Sequence, residues 1–167
     1  MKKAVFVFFA LLCMLLSGCG KTTPPQPTTV KFSCDFTADY QDIQVSGTMK
    51  RGTAGMLSVT LREPQTLAGL TFSCDGEKVT VSLGKLRYTP DAELPQSALF
   101  SQVCGVLDDV FTKAADGTLT DAGAVFTGKV GEYGYRLTSA PDTGTLLSIE
   151  IPDADFSIQF TGMRKEE

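Results

Sequence analysis

In VKFSCDFTADYQDIQVSGTMK, residues 30–50, apolar side chains alternate with polar ones. A period of two is typical of a β-strand with one buried face. A turn at residues 41–42 would set Tyr40 opposite Ile43 and continue the pairing outward from there. Opposed residues share a sheet face, so both apolar sets fall on the same side. The stretch therefore predicts an antiparallel hairpin with one apolar face.

The same alternation recurs in three further pairs of segments that are joined by turn residues. Asp75-Gly76 is a strong signal for a two-residue turn and would set Phe72 opposite Val79. Gly131-Glu132 joins the second pair, and the loop 152–155 joins the third. Alternation, together with turn residues at 52–54 and 143–144, places the remaining strands. The sequence thus predicts nine strands, near 30–40, 43–51, 55–63, 67–75, 76–88, 124–130, 133–139, 144–151 and 155–162.

One segment, between Gln96 and Ala115, breaks the period of two. Its apolar residues recur every three or four positions, which is typical of an amphipathic helix. They are Leu99, Phe100, Val103, Val106, Leu107, Val110 and Phe111. A single helix inserted among strands must bury this stripe, and the apolar sheet face is the surface available to it. We therefore expect a mainly β domain with one long helix packed on the sheet.

The first eighteen residues are typical of an export signal, with a basic start and then an uncharged apolar run. That run is shorter than the roughly twenty residues that a membrane-spanning helix needs. Leu16-Ser17-Gly18-Cys19 resembles the bacterial lipobox. This resemblance implies cleavage between Gly18 and Cys19 and a diacylglyceryl group on the Cys19 thiol. The alternative is an ordinary secretory signal with an accidental cysteine.

Residues 19–29 contain three prolines and no residue able to build a core, so they predict an extended linker. Residues 30–163 have the length of one domain, and residues 164–167 form a charged tail. Two acyl chains suffice for durable membrane anchoring. We therefore expect an extracytoplasmic protein, anchored to the cell membrane by the lipid on Cys19, and a monomer.

Composition argues against several functions. The chain contains no His, Trp or Asn, so it has no Ser-His or Cys-His nucleophile pair and no imidazole metal ligand. It carries 15 basic and 19 acidic side chains, a net charge of −4. An acidic domain without a basic stripe disfavours nucleic acid. We expect no catalytic residue, no cofactor, no metal and no nucleic-acid partner.

Two patterns resemble catalytic sites but lack their geometry. Ser82-Leu83-Gly84-Lys85 matches the S-x-x-K pattern, which requires a helix, whereas these residues fall in a predicted strand that sends Ser82 and Lys85 to opposite faces. Asp108 and Asp109 are adjacent on a helix and therefore diverge. A solvated helix face is the simpler interpretation of this pair.

Three cysteines remain in the predicted domain: Cys34, Cys74 and Cys104. Buried thiols that behave as small apolar groups are one interpretation. Export also allows one disulfide, which would leave the third cysteine unpaired. Metal binding by thiolates is the third alternative, and the sequence leaves all three open.

The meander of hairpins, the helix before the last strands, Asp75-Gly76 and the stretch 128–149 with its Asp142-Thr143-Gly144 turn resemble LolA-like lipoprotein carriers, including LppX-like lipoproteins. The resemblance implies an incomplete antiparallel barrel with a helix on its concave side, where characterised members receive acyl chains. We therefore expect a non-catalytic protein that binds a lipid or other hydrophobic group between sheet and helix. The alternative is a surface interaction or sensor module with a filled core.

The side chains expected to line a hydrophobic site are those on the apolar faces of the strands and helix. They are Phe32, Phe36, Val45, Val59, Phe72, Val81, Leu99, Phe100, Val103, Leu107, Phe111, Phe126, Tyr135, Ile149 and Ile158.

Overall fold

The computed structural model describes residues 31–53, 55–75, 78–90, 98–112 and 117–166. Within these ranges eleven strands form one sheet, and one α-helix packs against it. The strands are β1 (Phe32–Tyr40), β2 (Ile43–Arg51), β3 (Leu57–Glu63), β4 (Leu70–Cys74), β5 (Val79–Leu83), β6 (Leu86–Tyr88), β7 (Gly117–Thr120), β8 (Gly123–Val130), β9 (Tyr133–Ser139), β10 (Leu146–Ile151) and β11 (Phe156–Lys165). The helix, α1, is Leu99–Thr112. Short 3₁₀ turns cover Gln65–Leu67 and Pro152–Ala154.

The strand order is β6-β5-β4-β3-β2-β1-β11-β10-β9-β8-β7, and all described pairs are antiparallel. The first and last strands therefore pair at the centre, while β6 and β7 form the two edges. The chain between those edges contains α1. An incomplete antiparallel barrel with one helix on its concave face, as the resemblance implied, is thus confirmed.

Three predicted hairpin registers are confirmed at their turns. Tyr40 pairs with Ile43, Val130 with Tyr133, and Ile151 with Phe156. In each case the apolar residues of both strands lie on one face, as expected from the period of two.

The predicted register of the hairpin at Asp75-Gly76 is wrong by two residues. Phe72 pairs with Val81 rather than Val79, and Cys74 pairs with Val79. The backbone N–H of Asp75 donates to the Lys78 carbonyl at 3.3 Å, and the Asp75 carboxylate accepts from the Lys78 N–H at 2.8 Å, so the strands are joined between Asp75 and Lys78, one residue later than predicted. A shift of two keeps each side chain on its predicted face.

The structure has eleven strands instead of nine within the ranges it describes. The predicted strand 76–88 is two strands, because Gly84 adopts φ +59° at a tight turn and Leu83 pairs with Leu86. Ser82 therefore lies in β5 and Lys85 in the turn that follows it, and again no helix joins them. Strand β7 has only Leu119 as a large apolar residue, so the sequence shows no alternation there.

A bulge moves one leucine off the apolar face. Leu146 pairs with Ser139 and Ser148 with Thr138, which leaves Leu147 as an extra residue in β10. Leu146 is 2% exposed and Leu147 36%. Alternation from Ile151 through Ile149 predicts that Leu147 faces the core, and the structure buries its neighbour instead.

Strand β11 is longer than predicted and includes Arg164 and Lys165, which the sequence assigns to a charged tail. Lys165 pairs with Phe32 at the start of β1. Within the described ranges, α1 is too short to be a candidate membrane span, and no other helix qualifies.

Candidate functional site

The registers of neighbouring strands arrange the concave face in rows. The first row crosses β1 to β5 and consists of Phe32, Arg51, Leu57, Cys74 and Val79. The second row crosses β1 to β6 and consists of Cys34, Met49, Val59, Phe72, Val81 and Tyr88. Both rows lie beneath α1.

Aromatic contacts fix how α1 lies over the rows. The rings of Phe100 and Phe72 are stacked with their centroids 5.7 Å apart. Near the other end of the helix, the rings of Phe111 and Phe32 lie 6.4 Å apart. Because Phe72 is on β4 and Phe32 on β1, the helix crosses the strands from β4 towards β1.

We call the closed end the part formed by β1, β8–β11 and the second half of α1. Its apolar side chains are almost completely removed from solvent. Those with 0% exposure are Phe32, Val106, Leu107, Ala124, Phe126, Leu137, Ile149 and Ile151. A side chain with no accessible surface borders neither solvent nor a void that could hold water, so this end is close-packed.

We call the open end the part formed by β4, β5, β6 and the first turn of α1. Its concave-face side chains are apolar but remain accessible. Leu70, Phe72, Val79, Val81, Leu99 and Phe100 are half-buried. Leu83 is 44% exposed, Tyr88 67% and Leu86 74%. The open end therefore presents a continuous apolar surface on the same face that forms the core elsewhere.

The predicted lining residues divide between the two ends and the sheet between them. Nine are buried: Phe32, Phe36, Val59, Val103, Leu107, Phe126, Tyr135, Ile149 and Ile158. Six are partly exposed: Val45, Phe72, Val81, Leu99, Phe100 and Phe111. Of the six, Phe72, Val81, Leu99 and Phe100 meet at the open end.

Sequence reasoning did not assign Leu70, Val79, Leu83, Leu86 and Tyr88 to a candidate site. The alternation through Val79, Val81 and Leu83 was visible in the sequence. Leu86 and Tyr88 were not assigned because the sequence did not predict the turn at Gly84, after which the chain forms β6 beside β5.

A buried cation lies under the helix. Arg51 is 3% exposed, and its Nη2 donates to Asp108 Oδ1 at 2.6 Å. Its guanidinium also lies 5.1 Å from the centroid of the Phe111 ring, a cation–π distance. The Nε and Nη1 atoms of Arg51 have no hydrogen-bond partner among the described residues. Among the described residues, Asp108 is thus the main acidic partner of the Arg51 guanidinium.

Asp109 has a different partner from Asp108. The Tyr135 hydroxyl donates to Asp109 Oδ2 at 2.6 Å. Burial, followed by this hydrogen bond and the Asp109 charge, raises the pKa of Tyr135 well above its usual range. The interpretation of the two aspartates as a purely solvated helix face is therefore wrong, since each contacts the sheet.

A polar pocket of about 190 Å³ lies at β4–β6. Its lining residues are Met56, Ser73, Cys74, Asp75, Lys78, Thr80, Ser82 and Arg87. This composition does not suit a hydrophobic ligand, which needs a predominantly apolar lining. No group of three potential His, Cys, Asp or Glu metal ligands occurs among the residues that the structure describes.

No disulfide joins the three domain cysteines, all of which lie in the described ranges. Cys34 is 1% exposed, and burial, with a smaller contribution from the Asp35 charge, raises its pKa to about 12. Such a thiol is a poor nucleophile, because the thiolate is the reactive form. The small-apolar-group interpretation therefore suits Cys34.

The sequence matches no family model and no curated protein. Several solved structures are similar in fold. An uncharacterized conserved protein from Thermus thermophilus has a TM-score of 0.50 at 9% identity, covering 84% of this chain and 82% of that one. The LolA superfamily protein NE2245 from Nitrosomonas europaea has a TM-score of 0.46 at 11% identity, covering 84% and 88%.

MucB from Pseudomonas aeruginosa, in its complex with MucA, has a TM-score of 0.46 at 16% identity, and the match covers 83% of this chain and 52% of that chain. The likeness is one of fold alone.

Proposed function

We propose that the protein is a lipid-anchored, extracytoplasmic binding protein whose open end receives a lipid or another hydrophobic group. The observation that carries the proposal is the uneven covering of one concave face. At the closed end this face is packed to 0% exposure, whereas Leu83, Leu86 and Tyr88 remain 44–74% exposed. Large contiguous apolar patches on soluble domains mark interaction sites.

The chemistry of the open end suits an acyl chain. Its concave surface carries aliphatic and aromatic side chains, and the Phe72–Phe100 stack forms its inner wall. Each methylene transferred from water to such a surface contributes about 0.8 kcal/mol, roughly a fourfold gain in affinity. Affinity should therefore rise with tail length until the tail outgrows the surface between β6 and α1.

The proposed anchor supports the same function. Cys19 and the linker lie outside the described residues, so lipidation rests on the resemblance of residues 16–19 to a lipobox. Two acyl chains on Cys19 would hold the domain durably at a membrane. A proline-rich linker would then give the open end access to nearby lipids.

A surface interaction module remains the second candidate, and the closed end favours it. Nine of the fifteen predicted lining side chains are buried in packing contacts. If the open end were covered by a protein instead of a lipid, the domain would have no small hydrophobic ligand.

Binding of a fluorescent fatty acid to the mature chain with Cys19→Ser discriminates between these candidates. Leu83 on β5 and Leu119 on β7 are matched leucines, 44% and 45% exposed, near opposite edges of the sheet. Leu83→Asp should weaken binding about tenfold or more, because it places a charge against the tail. Leu119→Asp should leave binding unchanged. Absence of binding by the folded parent chain would reject the lipid proposal and leave the interaction module.

The anchor has its own test. Cys19→Ala should abolish metabolic incorporation of labelled palmitate, while Cys34→Ala should not. Equal labelling of parent and Cys19→Ala proteins would reject the lipid anchor without bearing on the open end.

A further inference from the structure

The edge strand β6 has two chemically different faces. Leu86 and Tyr88 lie on the concave face of the open end and are 74% and 67% exposed. Arg87 lies between them, and because successive side chains of a strand alternate, it is on the convex face. In the described sheet no strand lies beyond β6, so this one edge gives access to both faces.

Four strand residues that line the polar pocket lie on the convex side of this edge. Arg87 is directly opposite Ser82 of β5, and Ser73 of β4 is directly opposite Thr80 of β5. Opposed residues share a face, and so do residues two apart in one strand, such as Thr80 and Ser82. The apolar surface of the open end is therefore on the other side of the same three strands.

The size of the pocket suits one polar group better than a whole lipid. Its volume is about 190 Å³, whereas sites that enclose a drug-sized ligand measure about 300–1,000 Å³. The pocket has room for the head group of an amphiphile, and the tail must then lie on another surface. The concave face of β4–β6 is the apolar surface nearest to it.

The donors in the pocket suit an oxyanion. Arg87 and Lys78 supply charged N–H groups, and Ser73, Thr80 and Ser82 supply hydroxyl groups. Within the described ranges, neither Arg87 nor Lys78 takes part in a salt bridge. A guanidinium binds a carboxylate or a phosphate through two parallel hydrogen bonds, which gives both strength and a fixed orientation.

Asp75 is the one acidic side chain among the described lining residues, so two positive charges oppose one negative charge. Its carboxylate accepts from the backbone N–H of Lys78 at 2.8 Å, where β4 and β5 are joined. Ser82, opposite Arg87, is four residues further along the chain, about 13 Å away in an extended strand. An anion bound between Ser82 and Arg87 is therefore well separated from the Asp75 backbone.

We propose that the ligand is an anionic amphiphile, whose carboxylate or phosphate group binds Arg87 in the polar pocket and whose tail crosses the β6 edge onto the open end. The proposal rests on the proposed function, because the open end receives the tail. Head group and tail would then contact neighbouring residues of one strand, which are about 3.3 Å apart along the backbone. The binding is non-covalent throughout.

Selectivity for a charged head group follows from this arrangement. A neutral amphiphile with the same tail gains only the apolar contribution of the open end. An anionic one also gains charge-assisted hydrogen bonds from Arg87. Because Arg87 is exposed, added salt should weaken the second contribution and leave the first unchanged.

The experiment titrates three probes into the mature chain with Cys19→Ser, below the concentration at which the amphiphiles form micelles. Dodecyl phosphate carries both parts of the ligand, 1-dodecanol only the tail, and inorganic phosphate only the anion. We expect dodecyl phosphate to bind about tenfold more tightly than 1-dodecanol, and inorganic phosphate to bind most weakly. Equal affinities of the two amphiphiles would overturn the proposal. Inorganic phosphate binding as tightly as dodecyl phosphate would indicate a site for free phosphate and would also overturn it.

Two arginine variants test the assignment of the head-group site. Arg87→Gln should lower the affinity for dodecyl phosphate to about that for 1-dodecanol, and should leave 1-dodecanol binding unchanged. Arg62→Gln is the matched control, because Arg62 is 60% exposed on β3 and pairs with Asp35 at 2.8 Å instead of lining the pocket. Equal losses in both variants would show a general effect of charge and reject the site.

The 1-dodecanol measurement separates this proposal from the proposed function. If 1-dodecanol binds and Arg87→Gln does not change the affinity for dodecyl phosphate, the open end stands and the head-group site fails. If neither amphiphile binds the folded protein, the proposed function fails together with the head-group site.

Discussion

The closed and open ends are built from the same alternating strands, yet one is a core and the other a surface. Phe126 on β8 is 0% exposed, whereas Phe72 on β4 is half-buried although both face the concave side. The difference lies in what covers them. The buried face of α1, with Val103, Val106, Leu107 and Val110, packs into the closed end, and only its first turn reaches β4.

An apolar strand face therefore indicates a buried surface only where a second layer is available. A sheet that is not closed needs such a layer for every strand. One helix of fourteen residues is about 21 Å long, which covers only about four or five strands at their usual spacing. An eleven-stranded sheet therefore keeps part of its concave face accessible.

Truncating one phenylalanine at each end is the strongest test of the comparison. Phe126→Ala should lower the free energy of unfolding by about 3–5 kcal/mol, because it leaves a cavity in a packed region. Phe72→Ala should cost only about 1–2 kcal/mol, because its ring is already partly hydrated. Urea unfolding of both variants measures the difference. Equal losses would show that the open end is packed as tightly as the closed end.

Arg51 and Asp108 pair where the two ends meet. Asp108→Ala should cost about 2–3 kcal/mol, since it leaves Arg51 buried without its carboxylate. Arg51→Met should cost less, because the 46% exposed Asp108 side chain can be hydrated and Met keeps the contact with Phe111. Chemical denaturation of both variants gives the order. A larger loss for Arg51→Met would show that the guanidinium stabilises the helix beyond its pairing with Asp108.

The hairpins and the helix could be predicted from the sequence because their signals are local. Tyr40 and Ile43 flank a tight turn, so alternation alone fixes their register. The helix was predictable for the same reason, since its stripe is read within fourteen residues. Local signals failed at the second hairpin, where the strands join at Asp75 and Lys78, one residue later than predicted, and in β10, where a bulge exchanged Leu146 for Leu147.

Long-range features were beyond the sequence pattern. The pairing of β1 with β11 joins residues that are more than a hundred positions apart, and no turn signals it. The contact of Asp108 with Arg51 likewise depends on how α1 crosses the strands. For the candidate site, the pattern showed which residues are apolar. Which of them stay accessible depends on where the helix ends, and that is a property of the tertiary structure.

The smallest expected effect concerns Tyr135, which ties α1 to the closed end through Asp109. Tyr135→Phe should lower stability by about 1 kcal/mol near neutral pH, because it removes one partly buried hydrogen bond. The pKa of Tyr135 is higher in the folded than in the unfolded state, so its contribution is complete below pH of about 10 and declines as pH rises towards the folded pKa. Tyr135→Phe should therefore flatten the alkaline loss of stability. Tyr133→Phe, two residues earlier on β9, controls for loss of a phenol group. If the parent and Tyr135→Phe proteins lose stability equally between about pH 9 and 11, measured by urea unfolding, the hydrogen bond does not hold the helix to the closed end.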